Sequence, residues 1–152
     1  MKKFKFTLDK LLDYKDQLLD KEKNDLAALN MQRAEAVEHK EQLQQHMKNT
    51  QDDFNRRAAK GISPVEMAMF NCYHESLRMS ISDTEREIEK LSIAVEKQTG
   101  VVVEASKEVS SLEKLEEKQL EAYRFKVAKA EEAFIEEYVN SASVRAAIAA
   151  NQ

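Results

Sequence analysis

Helix-breaking residues are nearly confined to one place in this chain of 152 residues. Glycine occurs only at Gly61 and Gly100, and proline only at Pro64. A β-rich domain needs turn residues every ~8–12 positions, so this scarcity excludes most turn-rich folds and leaves long helices. The run Lys60-Gly61-Ile62-Ser63-Pro64-Val65-Glu66 reads as the end of one helix and the start of the next. Gly61 suits the left-handed residue that closes a helix. Ser63 suits an N-cap, and Pro64 suits the first helical position, where a missing N–H costs nothing. Glu66, three residues after Ser63, completes a capping box. A connection this short favours antiparallel neighbours. The expected fold is all-α, a two-helix antiparallel coiled-coil hairpin with a longer second helix. It forms a single coiled-coil domain, with helix 1 over about 7–59, a turn at 60–63, helix 2 over about 64–139 and a flexible tail at 140–152.

Apolar spacing supports two helical arms. From Leu77, alternating steps of four and three pass through Ile81, Thr84, Ile88, Leu91, Val95, Gln98, Val102, Ala105 and Val109 to Leu112. That is a sustained heptad seam in which polar members such as Gln98 fix register. The first arm is less regular. Leu8, Leu11, Leu12, Leu18, Leu19, Leu26, Leu29, Ala36, Leu43, Met47 and Phe54 drift between seven- and eleven-residue repeats. Thr7 or Asp9 is the expected cap of that arm. Charged residues make up 34% of the chain and tryptophan is absent, so a thin seam is expected in place of a thick core. Gly100 lies mid-helix, either at a bend or close approach of the first arm, or as a tolerated surface glycine. Pairing outward from the turn sets residue 8 opposite roughly residue 115. The stretch 115–139 then outruns its partner while carrying Leu115, Leu120, Tyr123, Phe125, Val127, Phe134, Ile135, Tyr138 and Val139. An apolar face left in water usually marks a partner site.

Other functions are argued against by what the residues cannot do. The formal net charge is −4 with both signs interspersed, whereas nucleic acid binding calls for a basic face or stripe. No apolar run approaches the ~18 residues that cross a membrane. Met1-Lys2-Lys3-Phe4 starts like a signal peptide, but Asp9, Lys10 and Asp13 interrupt where its apolar stretch would lie. With the single Cys72, this predicts a cytosolic protein. His39, His46 and His74 share no metal-ligand spacing, and Cys72 and His74 point to different faces of a helix. Carboxylate pairs such as Glu116-Glu117 lack a cleft that shifts a pKa, and no glycine-rich phosphate loop is present. The expectation is a binding protein, with no catalytic residues, cofactor, metal or small-molecule substrate. Met67, Met69, Phe70, Tyr73 and Met79 cluster after the turn, with Met47 and Phe54 approaching from the other arm. This group serves either as seam or as a partner contact. Val65, Met69, Tyr73 and Leu77 step by four along it.

The opening Phe4-x-Phe6-x-Leu8-x-x-Leu11-Leu12-x-Tyr14 resembles the start of the FliJ family, a small coiled-coil component of the bacterial flagellar type III export apparatus. The Gly61-Ile62 turn followed by Tyr73 and Leu77, and the later stretch from Glu104 through Lys107, Val109, Leu112, Lys114, Leu115 and Lys118 to Tyr123, resemble the same family in order and spacing. The resemblance implies a stalk-like protein that associates with a hexameric export ATPase, with the cytoplasmic domain of the membrane export gate, and with export chaperones. It implies a cytoplasmic location, peripheral to the inner membrane at the flagellar base. Carried over by position, the ATPase contact comprises Phe4, Phe6, Leu8, Leu11, Leu12 and Tyr14, with Lys114, Lys118 and Tyr123 opposite. The gate contact comprises Met47, Phe54, Tyr73 and Leu77. The competing readings are a structural coiled coil that self-associates and the equivalent stalk protein of a virulence secretion system.

Overall fold

A computed structural model describes residues 2–152. These form two long helices, α1 over Asp9–Lys60 and α2 over Pro64–Ala150. The observed fold is the expected all-α helical hairpin with the longer helix second. By contacts the chain divides into two compact units, one of residues 19–105, the other of the residues up to Leu18 together with Ser106–Gln152.

In the first unit the turn closes as its residue types dictate. Gly61 has φ 95°, a conformation that a Cβ would strain, and its N–H donates to the Ala58 carbonyl at 3.1 Å. The Glu66 N–H donates to Ser63 Oγ at 3.2 Å, and the Ser63 N–H donates to Glu66 Oε2 at 3.1 Å. Both bonds of the capping box are therefore made, and the Met67 N–H to Ser63 carbonyl bond at 3.1 Å starts α2.

Away from the turn, α2 turns the expected heptad toward α1. Leu77 is buried and Ile81, Thr84, Ile88, Leu91, Val95, Gln98, Val102 and Ala105 are half-buried. The pattern also continues back through His74 and Phe70. The first arm is more regular than its apolar residues suggest. Buried or half-buried positions run Leu19, Glu22, Leu26, Leu29, Arg33, Ala36, Lys40, Leu43, Met47, Thr50 and Phe54, in unbroken steps of three and four. The drift expected between seven- and eleven-residue repeats is a consequence of polar residues at seam positions. Several of these reach across. Lys40 Nζ pairs with Glu85 Oε1 at 3.1 Å, and Gln98 Nε2 donates to the Glu22 carbonyl at 3.0 Å and to its carboxylate at 2.5 Å. Phe54 stacks on Phe70 with ring centroids 3.9 Å apart. Exposed ion pairs contribute only ~0–1 kcal/mol, so such pairs act mainly to fix which residues meet. Gly100 is exposed, and a Cβ there would meet nothing within 4 Å. It is not a point of close approach.

In the second unit, residues 2–6 precede the helix without regular structure and lie against α2, Lys2 and Phe4 at Tyr123. Phe6 is buried at 4% exposure, with Leu12 and Val109 also buried. Lys15 Nζ meets Glu108 Oε2 at 2.7 Å. Neither expected cap serves α1. The Leu12 N–H to Leu8 carbonyl bond at 2.9 Å opens the helix, while the Thr7 hydroxyl is directed across to Gln119 Oε1 at 3.4 Å. The helix end expected near Val139 is passed, because α2 continues to Ala150. Ala, the best helix former, supplies five of its last nine residues.

Candidate partner-binding surfaces

The proposed contact residues of the terminal unit fall into two groups. Phe6 and Leu12 are core, and no partner reaches them while the unit is closed. Tyr123 is tied down. Its hydroxyl donates to the Lys2 carbonyl at 2.7 Å, and its ring lies 5.6 Å from that of the half-buried Phe4. Leu8, Leu11, Tyr14, Lys114 and Lys118 face outward. The N-terminal segment thus covers the part of α2 around Gln119 and Tyr123, as the expected register set Phe4 and Phe6 opposite Tyr123.

Beyond Val127 every residue of α2 is exposed. Phe125, Phe134, Ile135 and Tyr138 keep 66, 70, 60 and 69% of their surfaces in contact with solvent. Val127, Phe134 and Tyr138 fall close to the line that Val109 and Tyr123 define, because 3.6 residues per turn brings spacings of four, seven and eleven back to nearly one face. The seam face of α2 therefore continues where it has no partner among the described residues. Val144 and Ile148, also exposed, extend the apolar content into the segment expected to be a flexible tail. Flanking charges run basic, acidic and basic, from Lys126 and Lys129 through Glu131, Glu132, Glu136 and Glu137 to Arg145.

The turn unit holds the other candidates. Leu77 is core at 7% exposure, and Phe54 is engaged with Phe70. Met47 is half-buried. Tyr73 is exposed, its hydroxyl 2.5 Å from His46 Nε2 and the two rings edge to face. The four-residue stripe through Val65, Met69, Tyr73 and Leu77 is not one face. Each step of four advances ~40° around a helix, so Val65 and Met69 point to solvent while Leu77 points inward. Near the turn, the large apolar side chains open to a partner are Tyr73, Val65, Met67, Met69 and Met79, all exposed. Counting the heptad back from Leu77, through His74 and Phe70, separates these outward residues from the seam.

Among the described residues no group of three His, Cys, Asp or Glu side chains is placed to hold a metal ion. What these surfaces offer is apolar and aromatic area on helix faces, the chemistry of a helical protein-binding module. Residues 4–147 match the family model described as the flagellar FliJ protein. The chain belongs to that family, a non-enzymatic component of flagellar protein export. Comparison with curated proteins and with solved structures found no match. Among the described residues, no helix is long and apolar enough to cross a membrane.

Proposed function

We propose that this chain is the stalk-like binding component of the flagellar export apparatus, associating with the hexameric export ATPase, the cytoplasmic domain of the export gate and export chaperones. In this reading it is cytoplasmic, peripheral to the inner membrane at the flagellar base, and works as one coiled-coil domain. The observation that carries the reading, beside family membership, is the uncovered seam face of α2 at Phe134 and Tyr138. Large aromatic anchors of this kind supply most of an interface's energy. The ATPase contact is accordingly placed on Leu8, Leu11, Tyr14, Lys114, Lys118 and the aromatic face of α2, with Phe4, Phe6, Leu12 and Tyr123 holding that end together. The gate contact is placed on Tyr73 and the exposed methionines, with Met47, Phe54 and Leu77 supporting them from within.

The test is capture of the purified export ATPase by the full chain. The variant Phe125→Ser/Phe134→Ser/Tyr138→Ser changes only exposed side chains, so its helix content should stay near that of the parent. Its affinity for the ATPase should fall by more than ~30-fold, the equivalent of at least ~2 kcal/mol. Tyr73→Ala should leave ATPase capture intact and weaken capture of the gate's cytoplasmic domain. Unchanged ATPase binding by the folded triple variant sinks the placement.

A further inference from the structure

We propose that α2 carries a built-in joint at residues 99–103, where the helix opens locally while the seam on the turn side of it stays closed. Three features coincide there. The segment reads Thr99-Gly100-Val101-Val102-Val103, four β-branched residues and a glycine, all poor helix formers. Val101 and Val103 are 40 and 45% exposed, so packing does little to offset their poor propensity. The Thr99 hydroxyl bonds back to the Val95 carbonyl at 2.7 Å, a contact that weakens and bends helices.

The seam offers little compensation at this level, since Val102 alone of the five holds a seam position and it is only half-buried. Between Val95 and Val102 the α2 seam residue is Gln98, and between Leu19 and Leu26 the α1 seam residue is Glu22. The two meet through the Gln98 amide. This layer fixes register but buries no large apolar side chain, so opening it sacrifices little hydrophobic burial.

A second polar layer in the same unit isolates the cause. Lys40 and Thr84 also hold seam positions, Lys40 also reaches a carboxylate, that of Glu85, and the Thr84 hydroxyl also bonds back, to the Ser80 carbonyl at 2.8 Å. The residues that follow are Glu85, Arg86 and Glu87, all good helix formers. The two layers are alike in seam polarity and differ in the helix that carries them. Local opening follows the weak helix and not the polar layer. A helix free to open within its length lets the arm bend under load without breaking its paired stretches, and low local stability is what moving elements draw on.

Amide hydrogen exchange on the full chain tests this. The amides of residues 100–105 should exchange at least about tenfold faster than those of residues 85–91. Gly100→Ala meets no neighbour within 4 Å, so it should fold normally and slow exchange at 100–105 by about fivefold. That is the ~1 kcal/mol by which Ala exceeds Gly in a helix, at ~1.4 kcal/mol per tenfold. Exchange at 85–91 should not change. Equal protection of the two segments in the parent chain overturns the proposal. So does a Gly100→Ala variant that slows both segments alike, or neither.

Discussion

The turn and the terminal region are closed by opposite means. At the turn, Ser63 and Glu66 satisfy one another and the Gly61 N–H meets the Ala58 carbonyl, all within nine residues of chain. At the termini, Thr7 reaches Gln119 and Tyr123 reaches the Lys2 carbonyl, partners 112 and 121 residues apart in sequence. Local closure draws its stability from backbone conformation and caps, and it forms early because little loop entropy is lost. Closure at the termini depends on side chains such as Phe6 being buried against a helix that arrives only when the rest of the hairpin is in place. The first kind of end is set by a few polar atoms, and the second by apolar area.

Substitution separates the two. Phe6→Ala removes the most deeply buried side chain of the terminal unit and should cost ~3 kcal/mol of local stability. Limited proteolysis should show residues 2–8 released, with the capping box at the turn unaffected. Leu77→Ala, the counterpart in the turn unit, should cost ~2–3 kcal/mol, toward the low end of the core range because the seam is thin and its neighbours are half-buried. It should appear as a lower thermal midpoint. If Phe6→Ala leaves proteolysis of the N-terminal segment unchanged, that end is not held by apolar burial.

The turn should break by a smaller, local step. Ser63→Ala removes the acceptor of the Glu66 N–H and should cost ~1 kcal/mol. Glu66→Gln keeps an oxygen able to accept from the Ser63 N–H, so it should cost less. A Ser63→Ala variant with the parent's melting temperature would show that Pro64 and Gly61 suffice to set the turn.

The same contrast explains what the sequence could reveal. The turn was legible because four residue types at fixed offsets each have one conformational reason to be there. The α2 seam was legible because nine of the eleven residues in its heptad from Leu77 to Leu112 are apolar. The α1 seam was obscured because Lys15, Glu22, Arg33, Lys40 and Thr50 hold seam positions, and an apolar count reads each as a break in period. Lys15 and Lys40 lay their stems along the seam and reach carboxylates of α2, Glu22 accepts from Gln98, and Arg33 and Thr50 bond within α1 to Asn30 and the His46 carbonyl. The outward set Val65, Met69 and Tyr73 was grouped with Leu77 because a four-residue step resembles a stripe over short lengths. The register counted from the turn, and the family resemblance, set Phe4 and Phe6 opposite Tyr123, but the bond from the Tyr123 hydroxyl to the Lys2 carbonyl was not legible. A segment without regular structure has no period of its own, and its partner lies over a hundred residues away.

The smallest expected effect belongs to Lys15 and Glu108, a polar contact of the terminal region. The bond to the Glu108 carboxylate, opposed by modest desolvation and helped by the charges of Glu108 and Tyr14, holds the Lys15 pKa above its ordinary value. The ammonium is thus favoured in the folded state. The stability it adds is complete below the ordinary lysine pKa and is lost as pH rises through the raised one. Both partners are substantially solvated, with side-chain exposures of 28 and 53%, so the contribution is screened and small. Lys15→Met keeps the stem in the seam, packs there and removes the charge. The informative quantity is the difference between parent and variant as pH changes. That difference should be constant from neutral pH to mild alkalinity, then shift against the parent in strongly alkaline solution, and shrink in high salt. A parent-minus-variant difference that stays flat through the alkaline range would show that Lys15 holds its seam position by its aliphatic stem alone.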